Sequence, residues 1–333
     1  MVASAVTAGL ERERRHPAEP GVAYAHPAYA ASLFEFGRPV ALPASGGWLL
    51  ERTIAASEKR DAMGTYPLFA CSSWNALEAD LRALQGSLVS AVLVTDPFGR
   101  YDRRLLDRTF DVARPFKSHF VVELNRSSID GLSKHHRYYT RRAMRDVEVE
   151  VADRPLDHLD EWHALYRGLV ERHGIAGIRA FSRASFEGQF QVPGLVVLRA
   201  VRRGTTVGMH LWYASQRGDG VAYSHLAATS DEGYELGAAY ALHWTAIEHF
   251  RGSLRWLDLG AGAGTGAGTG AVTGAGPDGL TAFKAGWATD TRTAYICGRI
   301  LSTRDYEALS SASAPAGSPS SSYFPAYRAG EYS

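Results

Sequence analysis

Cysteine is scarce. The chain has two, Cys71 and Cys297, far apart and without metal-ligand spacing. That spacing excludes a disulfide framework and a thiolate metal centre, and it points to a reducing compartment. No stretch approaches the roughly 20 consecutive apolar residues that a bilayer crossing needs. The opening residues, MVASAVTAGLERERRHPAEP, run from a short apolar patch into charge, the reverse of a secretory signal. A soluble, cytoplasmic protein with no membrane span is expected. A surplus of either charge is also missing: Lys plus Arg number 36 and Asp plus Glu 35. Any nucleic acid or acidic surface must then be met by a local patch. Hydrophobic residues make up 45% of the 333, enough for a sizeable core in one large domain or two modest ones.

Glycine is plentiful, with 34 residues, and crowds into LRWLDLGAGAGTGAGTGAVTGAGPDGLTAFKAGW, residues 254–287. Asp258-Leu-Gly-Ala-Gly-Ala-Gly264 has the look of the first motif of an S-adenosylmethionine methyltransferase. That motif follows the first strand of a wound parallel sheet, and about 100 residues of alternating strands and helices must come after it. Too little chain follows here, and it ends in a Ser/Pro/Ala-rich run. Gly274-x-Gly276-x-x-Gly279 matches a dinucleotide pattern, but it follows no strand and contains Pro277. A run this rich in glycine yields such a match by chance. The stretch is read as a connector.

The remaining chain divides into an irregular segment, 1–30, a first part, 31–125, a second part, 126–305, and a flexible tail, 306–333. The first 30 residues are expected to lie loose or draped over the surface, and 310–333 to form a mobile tail. In the first part WNALEADLRALQ has Leu77, Leu81 and Leu84 at helical spacing. SAVLVTDPFG reads as a strand ending in a turn, and HFVVELN as another strand. Ser127, three residues before Asp130, resembles a capping box and predicts a helix from there. The second part reads β-α-α-β-β-β-α-β-α-β. LDHLDEWHALYRGLVERHG sets Leu159, Trp162, Leu165, Tyr166, Leu169 and Val170 on one helical face and stops at Gly174. SRASFEGQF is a shorter Ser-capped helix. GLVVLRAV, TTVGMHLWYA and VAYSHLAAT are consecutive strands. DEGYELGAAYALHWTAIEHF reads as one long helix, LRWLDLG as a strand, the surroundings of Phe283 as a helical turn, and TRTAYICGRIL as the last strand.

This order, with GLTAFKAGW after the fifth strand, resembles the GNAT acyltransferase fold. Within it the chain is most similar to the Fem-type branch, the aminoacyl-tRNA-dependent peptidyltransferases and their acyltransferase relatives. The likeness covers roughly residues 60–305. It rests on VVELNRSSIDGLSKHHRYYTRRAMRDVEVEV, on WLDLG at the place of the fifth strand, and on LTAFKAGWAT, which looks like the family's Phe-Lys signature. The resemblance implies an α/β (α+β) fold of two GNAT-like halves, the first degenerate, with mixed, mostly antiparallel sheets flanked by helices. The ordinary GNAT pyrophosphate loop is only partly matched by Tyr234-Glu-Leu-Gly237-Ala-Ala239. Gly237 and Ala239 agree, but Glu235 sets a negative charge where phosphates would lie.

An amine attacking an activated ester needs alignment, a stabilised oxyanion and an exit for its proton. The resemblance places Lys284, with Phe283, in the transfer site facing the donor. Lys284 is also the only lysine in the second half of the chain. Period-2 spacing puts His210 with Trp212 on one face and Tyr223 with His225 on one face. In a GNAT sheet one face of these strands lines the cleft, and His225 or Tyr223 is expected to take the amine proton. Tyr234 and Asp258 are further substrate-binding candidates, and Tyr66 and Trp74 are candidates for an acceptor pocket. Arg137, Arg141 and Arg145 recur at i+4 beside Lys134 and Arg142, a stripe suited to tRNA phosphates. For each of these the structural alternatives are a satisfied core residue, a helix cap or a solvated helix face.

The expected function is N-acyl transfer forming an amide, with aminoacyl-tRNA as donor and a small-molecule or peptide amine as acceptor, in cell-wall or specialised metabolism. Acyl-CoA is the alternative donor. A methyltransferase or a non-catalytic binding module is the second alternative. No metal or resident cofactor is expected.

Overall fold

The computed structural model describes residues 23–216, 218–262, 279–313 and 323–331. In chain order the elements are α1 (Pro27–Ser32), β1 (Arg38–Leu42), β2 (Gly47–Thr53), β3 (Arg60–Gly64), α2 (Leu77–Ala83), β4 (Ser90–Val94), α3 (Arg103–Thr109) and β5 (Val112–Glu123). There follow α4 (Lys134–Asp146), β6 (Glu148–Val151), α5 (Leu159–His173), α6 (Arg183–Gln189), β7 (Leu195–Arg202), β8 (Thr205–Ser215) and β9 (Val221–Thr229). The chain continues through α7 (Asp231–Leu236), α8 (Ala238–Phe250), β10 (Trp256–Ala261), α9 (Gly279–Ala285), β11 (Asp290–Ile300) and α10 (Thr303–Ser313).

All the strands join one eleven-stranded sheet in the order β1-β2-β3-β4-β11-β5-β10-β9-β8-β7-β6. Only β3–β4 and β9–β10 are parallel neighbours, so the expected mixed, mostly antiparallel sheet is present. The last strand, β11, runs back between β4 and β5. The sequence reading left open how the two parts meet; they share backbone hydrogen bonds through this strand.

Local chemistry explains several of these elements. The β7–β8 hairpin turns through Arg203 and Gly204, both with positive φ, the geometry of a two-residue primed turn. Helix α5 buries Leu159, Trp162 and Tyr166 and ends on Gly174 in the left-handed region, as its spacing predicts. The sheet carries an apolar layer on each face. One layer gathers Trp162 and Tyr166 of α5, Phe186 of α6, and Tyr24, Tyr29, Tyr213 and Tyr223. The other gathers α8 with Trp212, Leu257, Leu259 and Trp287.

Four expectations are corrected. Residues 1–22 lie outside the described residues, but 23–30 are not loose: Tyr24 and Tyr29 are buried in the core. The helix expected from Ser127 starts at Lys134, because Ser133 is the side chain that caps it, accepting from His136 N; Ser128 caps only a short 3₁₀ turn. The long helix expected over 231–250 is broken at Gly237, whose φ of 70° closes α7 before α8 begins. The tail does not hang free over 323–331: Phe324 and Tyr327 are buried, and Arg328 pairs with the fully buried Asp61. Residues 314–322 lie outside the described residues. Among the described residues no helix is long and apolar enough to cross a membrane.

Candidate functional site

Strand β10 does not stay paired. Its parallel ladder with β9 covers only Trp256–Asp258 against Val221–Tyr223. Beyond Tyr223, β9 continues to Thr229 on β8 alone, and the two strands part. On its other edge β10 bulges: Asp258 faces Val121, and the next pair is Ala261 with His119. Gly260 takes up the extra residue at φ +74°, a conformation glycine adopts without strain. The bulge re-aims the end of the strand, and three polar groups gather on it.

The first is Lys284. Its Nζ donates to the Ala261 carbonyl at 2.7 Å, and a Cβ on Gly260 would stand 3.3 Å from it. Helix α9 is held there by Phe283, whose ring meets those of Tyr240 and His243 at 4.9 and 4.8 Å. His136 Nε2 donates to the Phe283 carbonyl at 2.9 Å. The second and third are Asp258 and His119. Both oxygens of Asp258 accept from His119 Nδ1 at 2.9 Å, and Oδ1 also accepts from Gly260 N at 2.8 Å.

On the α8 face the His210 and His243 rings lie 4.6 Å apart. Burial drives both below the usual imidazole range, His243 to about 4, and the Lys284 ammonium adds to each shift. Lys284 thus stands beside two neutral imidazoles. On the opposite face Tyr223 donates to Asp96 Oδ2 at 2.8 Å. Burial raises the Asp96 carboxyl to about 6 against the pull of its Phe98 N–H and Tyr223 donors. These two line a cavity of about 330 Å³ together with Tyr24, Trp74 and Phe98, between the first part of the chain and the β8–β9 hairpin.

The expected site residues fall on both faces of the sheet. His210, Trp212, Phe283 and Lys284 are on the α8 side, whereas Tyr223, His225 and Asp258 are on the cavity side. Trp212 is fully buried against Phe250 and serves as core. His225 is engaged at both nitrogens, Nε2 with Gln189 Oε1 at 2.9 Å and Nδ1 with the Tyr24 hydroxyl at 3.3 Å; burial lowers it to about 3. Neither His225 nor Tyr223 is poised to accept a proton, because hydrogen bonds within the core already hold both. Trp74 lines the cavity. Tyr66 is outside that lining, its ring against Phe181 at 6.2 Å. Tyr234 is exposed beside the Arg172 guanidinium. Arg137 and Arg141 both reach back to Asp130, at 3.1 and 3.3 Å, and Arg145 lies exposed farther along the helix. Sequence reasoning missed His119, Asp96 and Tyr24. Asp96 was legible only as part of a turn signal, and His119 is one polar residue within a long strand. Among the described residues no cluster of His, Cys, Asp and Glu could hold a metal.

Residues 132–265 match the family model described as an acetyltransferase (GNAT) domain. A search of curated proteins finds no match. Among solved structures, FemX aligns at 12% identity over 85% of this chain and 93% of that one, with a TM-score of 0.60. The C-terminal domain of a protein described as a lysylphosphatidylglycerol synthetase from Agrobacterium fabrum aligns at 15% identity over 83% and 88%, TM-score 0.58. L-PGS from Bacillus licheniformis aligns at 16% identity over 84% and 93%, TM-score 0.54. At these identities the likeness is one of fold. The match marks a GNAT acyltransferase domain at residues 132–265, and the fold around it is GNAT-like. Over 83–85% of the chain the fold is similar to that of these three structures.

Proposed function

We propose that the chain moves an aminoacyl group from aminoacyl-tRNA to the amine of a small-molecule or peptide acceptor, forming an amide in the cytoplasm. The observation that carries this reading is the Lys284 ammonium at the bulged end of β10, where the strand has parted from β9, beside two imidazoles kept neutral. An ammonium fixed in a half-buried site offsets the charge that develops on the carbonyl oxygen as the amine attacks, or meets a donor phosphate. The ester is already activated, so the reaction asks for alignment and charge stabilisation and needs no resident cofactor. The cavity of Trp74, Tyr24 and Tyr223, with Asp96 and Arg100 in its wall, suits the acceptor: an aromatic enclosure with a carboxylate and a guanidinium takes an amine that also carries an anionic group. Arg141 and Arg145, exposed on α4, with the half-buried Arg137, suit the phosphates of a tRNA acceptor stem. The likeness to FemX and L-PGS supports an aminoacyl donor.

The acetyltransferase description of the 132–265 match favours a second reading, with acyl-CoA as donor. Against it stands Glu235, an exposed carboxylate two residues before Gly237 where a pyrophosphate would approach.

The test supplies total tRNA charged with labelled amino acids, and amino-acid amides plus a low-molecular-weight cell extract as acceptors. The aminoacyl reading predicts label that becomes stable to mild alkali, as an amide is and an ester is not, and that is lost after RNase pretreatment. Transfer that survives RNase and requires acetyl-CoA would install the second reading instead.

A further inference from the structure

We infer that His119, oriented by Asp258, takes the proton from the attacking amine; this rests on the transfer reading above. Both candidates expected for that role are held in the core, so the reaction needs another base. His119 stands on β5, across from Ala261 of the bulge on one side and from Arg292 of β11 on the other. Carboxylate oxygens only accept, so Asp258 holds the hydrogen on Nδ1 and leaves the lone pair on Nε2. Nε2 has no hydrogen-bond partner among the described residues, and it is not one of the sealed, unpartnered polar atoms. Asp258 is itself anchored by the Gly260 N–H. The same bulge therefore sets the imidazole from the cavity side and receives Lys284 from the α8 side, at the gap where β9 and β10 part. A base held by a carboxylate, working with a separate group that meets the oxyanion, is the arrangement that acyl transfer uses on unrelated folds.

The bonds balance. The ammonium first gives one proton to solvent; the free amine nitrogen then forms a C–N bond to the ester carbon, and the carbonyl oxygen becomes an oxyanion facing Lys284. One N–H proton passes to His119 Nε2. As the oxyanion reverts to a carbonyl, the C–O bond to the tRNA ribose breaks, and the imidazolium returns its proton to that ribose oxygen. The other histidines on the two central strands and α8 suit this less: burial holds His225 to about 3 and His243 to about 4, too acidic as imidazolium to be an efficient base near neutrality. The charged and titratable groups facing His119 are Asp258 on β10, Arg292 opposite on β11 and Asp96 after β4; Tyr223 of β9 reaches Asp96, and Lys117 stands two residues away on the same strand.

The test is the pH profile of amide formation from charged total tRNA, measured from about pH 5.5 to about pH 9 for the parent, His119→Gln and Asp258→Asn, with melting curves for each. The parent is expected to gain kcat/KM with rising pH, as base catalysis requires. His119→Gln should lower kcat/KM by roughly 10²-fold and flatten that gain. Asp258→Asn, which keeps the side-chain volume, should lower kcat at unchanged KM and shift the gain along the pH scale, giving an independent reading if His119→Gln fails to fold. A His119→Gln protein that keeps the parent rate and profile overturns the role of His119 and leaves the transfer reading standing. A parent that forms no amide from charged tRNA or from acetyl-CoA overturns both.

Discussion

Asp96 shows at the level of one side chain what the cavity costs the fold. Its carboxyl is almost wholly enclosed, and burial lifts it from the ordinary aspartate range to about 6. A carboxyl raised on folding binds its proton more tightly in the folded chain than in the unfolded one. The stability it allows is complete below about pH 4 and is lost as pH rises through about 6. Asp96→Asn removes that dependence. Between pH 4 and pH 7 the variant should gain about 2 kcal/mol relative to the parent, read as the difference between urea denaturation curves at the two pH values. The same variant should raise KM for a cationic amine acceptor, since the ammonium loses its carboxylate. A stability difference flat across that range would show that Asp96 is ionised at ordinary cost. Residue-scale partnerships of this kind are the least legible in a sequence. His119 and Asp258 are 139 positions apart, and Tyr24 and His225 are 201 apart. No local pattern joins them. Lys284 was legible because its neighbours carry a signature and no other lysine competes with it in that half of the chain.

At the level of elements, the legible pieces are those whose pattern matches their burial. Helix α5 shows a one-sided apolar stripe, and it lies against the sheet by that stripe. Strands β7, β8 and β9 are bounded by turns. Strands β1, β2 and β3 were not foreseen. β1 contains Pro39 and runs along an edge of the sheet, where proline is tolerated but weakens the strand signal. β3, Arg60–Gly64, has too few apolar residues to alternate visibly. The C-terminal segment was misread because Ser, Pro and Ala dominate its composition, while its anchoring rests on a few residues. Arg328 donates to both oxygens of Asp61, at 2.6 and 2.9 Å, and Tyr327 donates to the same carboxylate at 3.1 Å. Removing one partner of a buried ion pair strands the other charge. Arg328→Ala should therefore cost about 3 kcal/mol in chemical denaturation, the low end of the range for such pairs because Arg52 still approaches Asp61 at 3.5 Å. Replacing both residues, Asp61→Asn with Arg328→Met, should recover part of the loss. An Arg328→Ala protein as stable as the parent would show that the segment docks without contributing to the fold.

At the level of the whole molecule, the strand order explains why function concentrates at one place. β11 stitches the first part of the chain to the second, and β10 lies one strand away, at the middle of the sheet. Beside it β9 and β10 part, and the gap opens where the two parts face each other. The cavity approaches from one side and α9 from the other. The architecture was legible from the order of elements in the second part. The two-faced character of the site was not, because period-2 spacing says which residues share a face but not which face meets the cleft. The account's central claim is that the ammonium at the end of β10 drives the transfer. The most direct measurement is the single-turnover rate of amide formation by Lys284→Met, which keeps the length and apolar body of the side chain and removes its charge. The account predicts a fall of roughly 10²-fold with an unchanged melting temperature. A Lys284→Met protein that transfers as fast as the parent would contradict it.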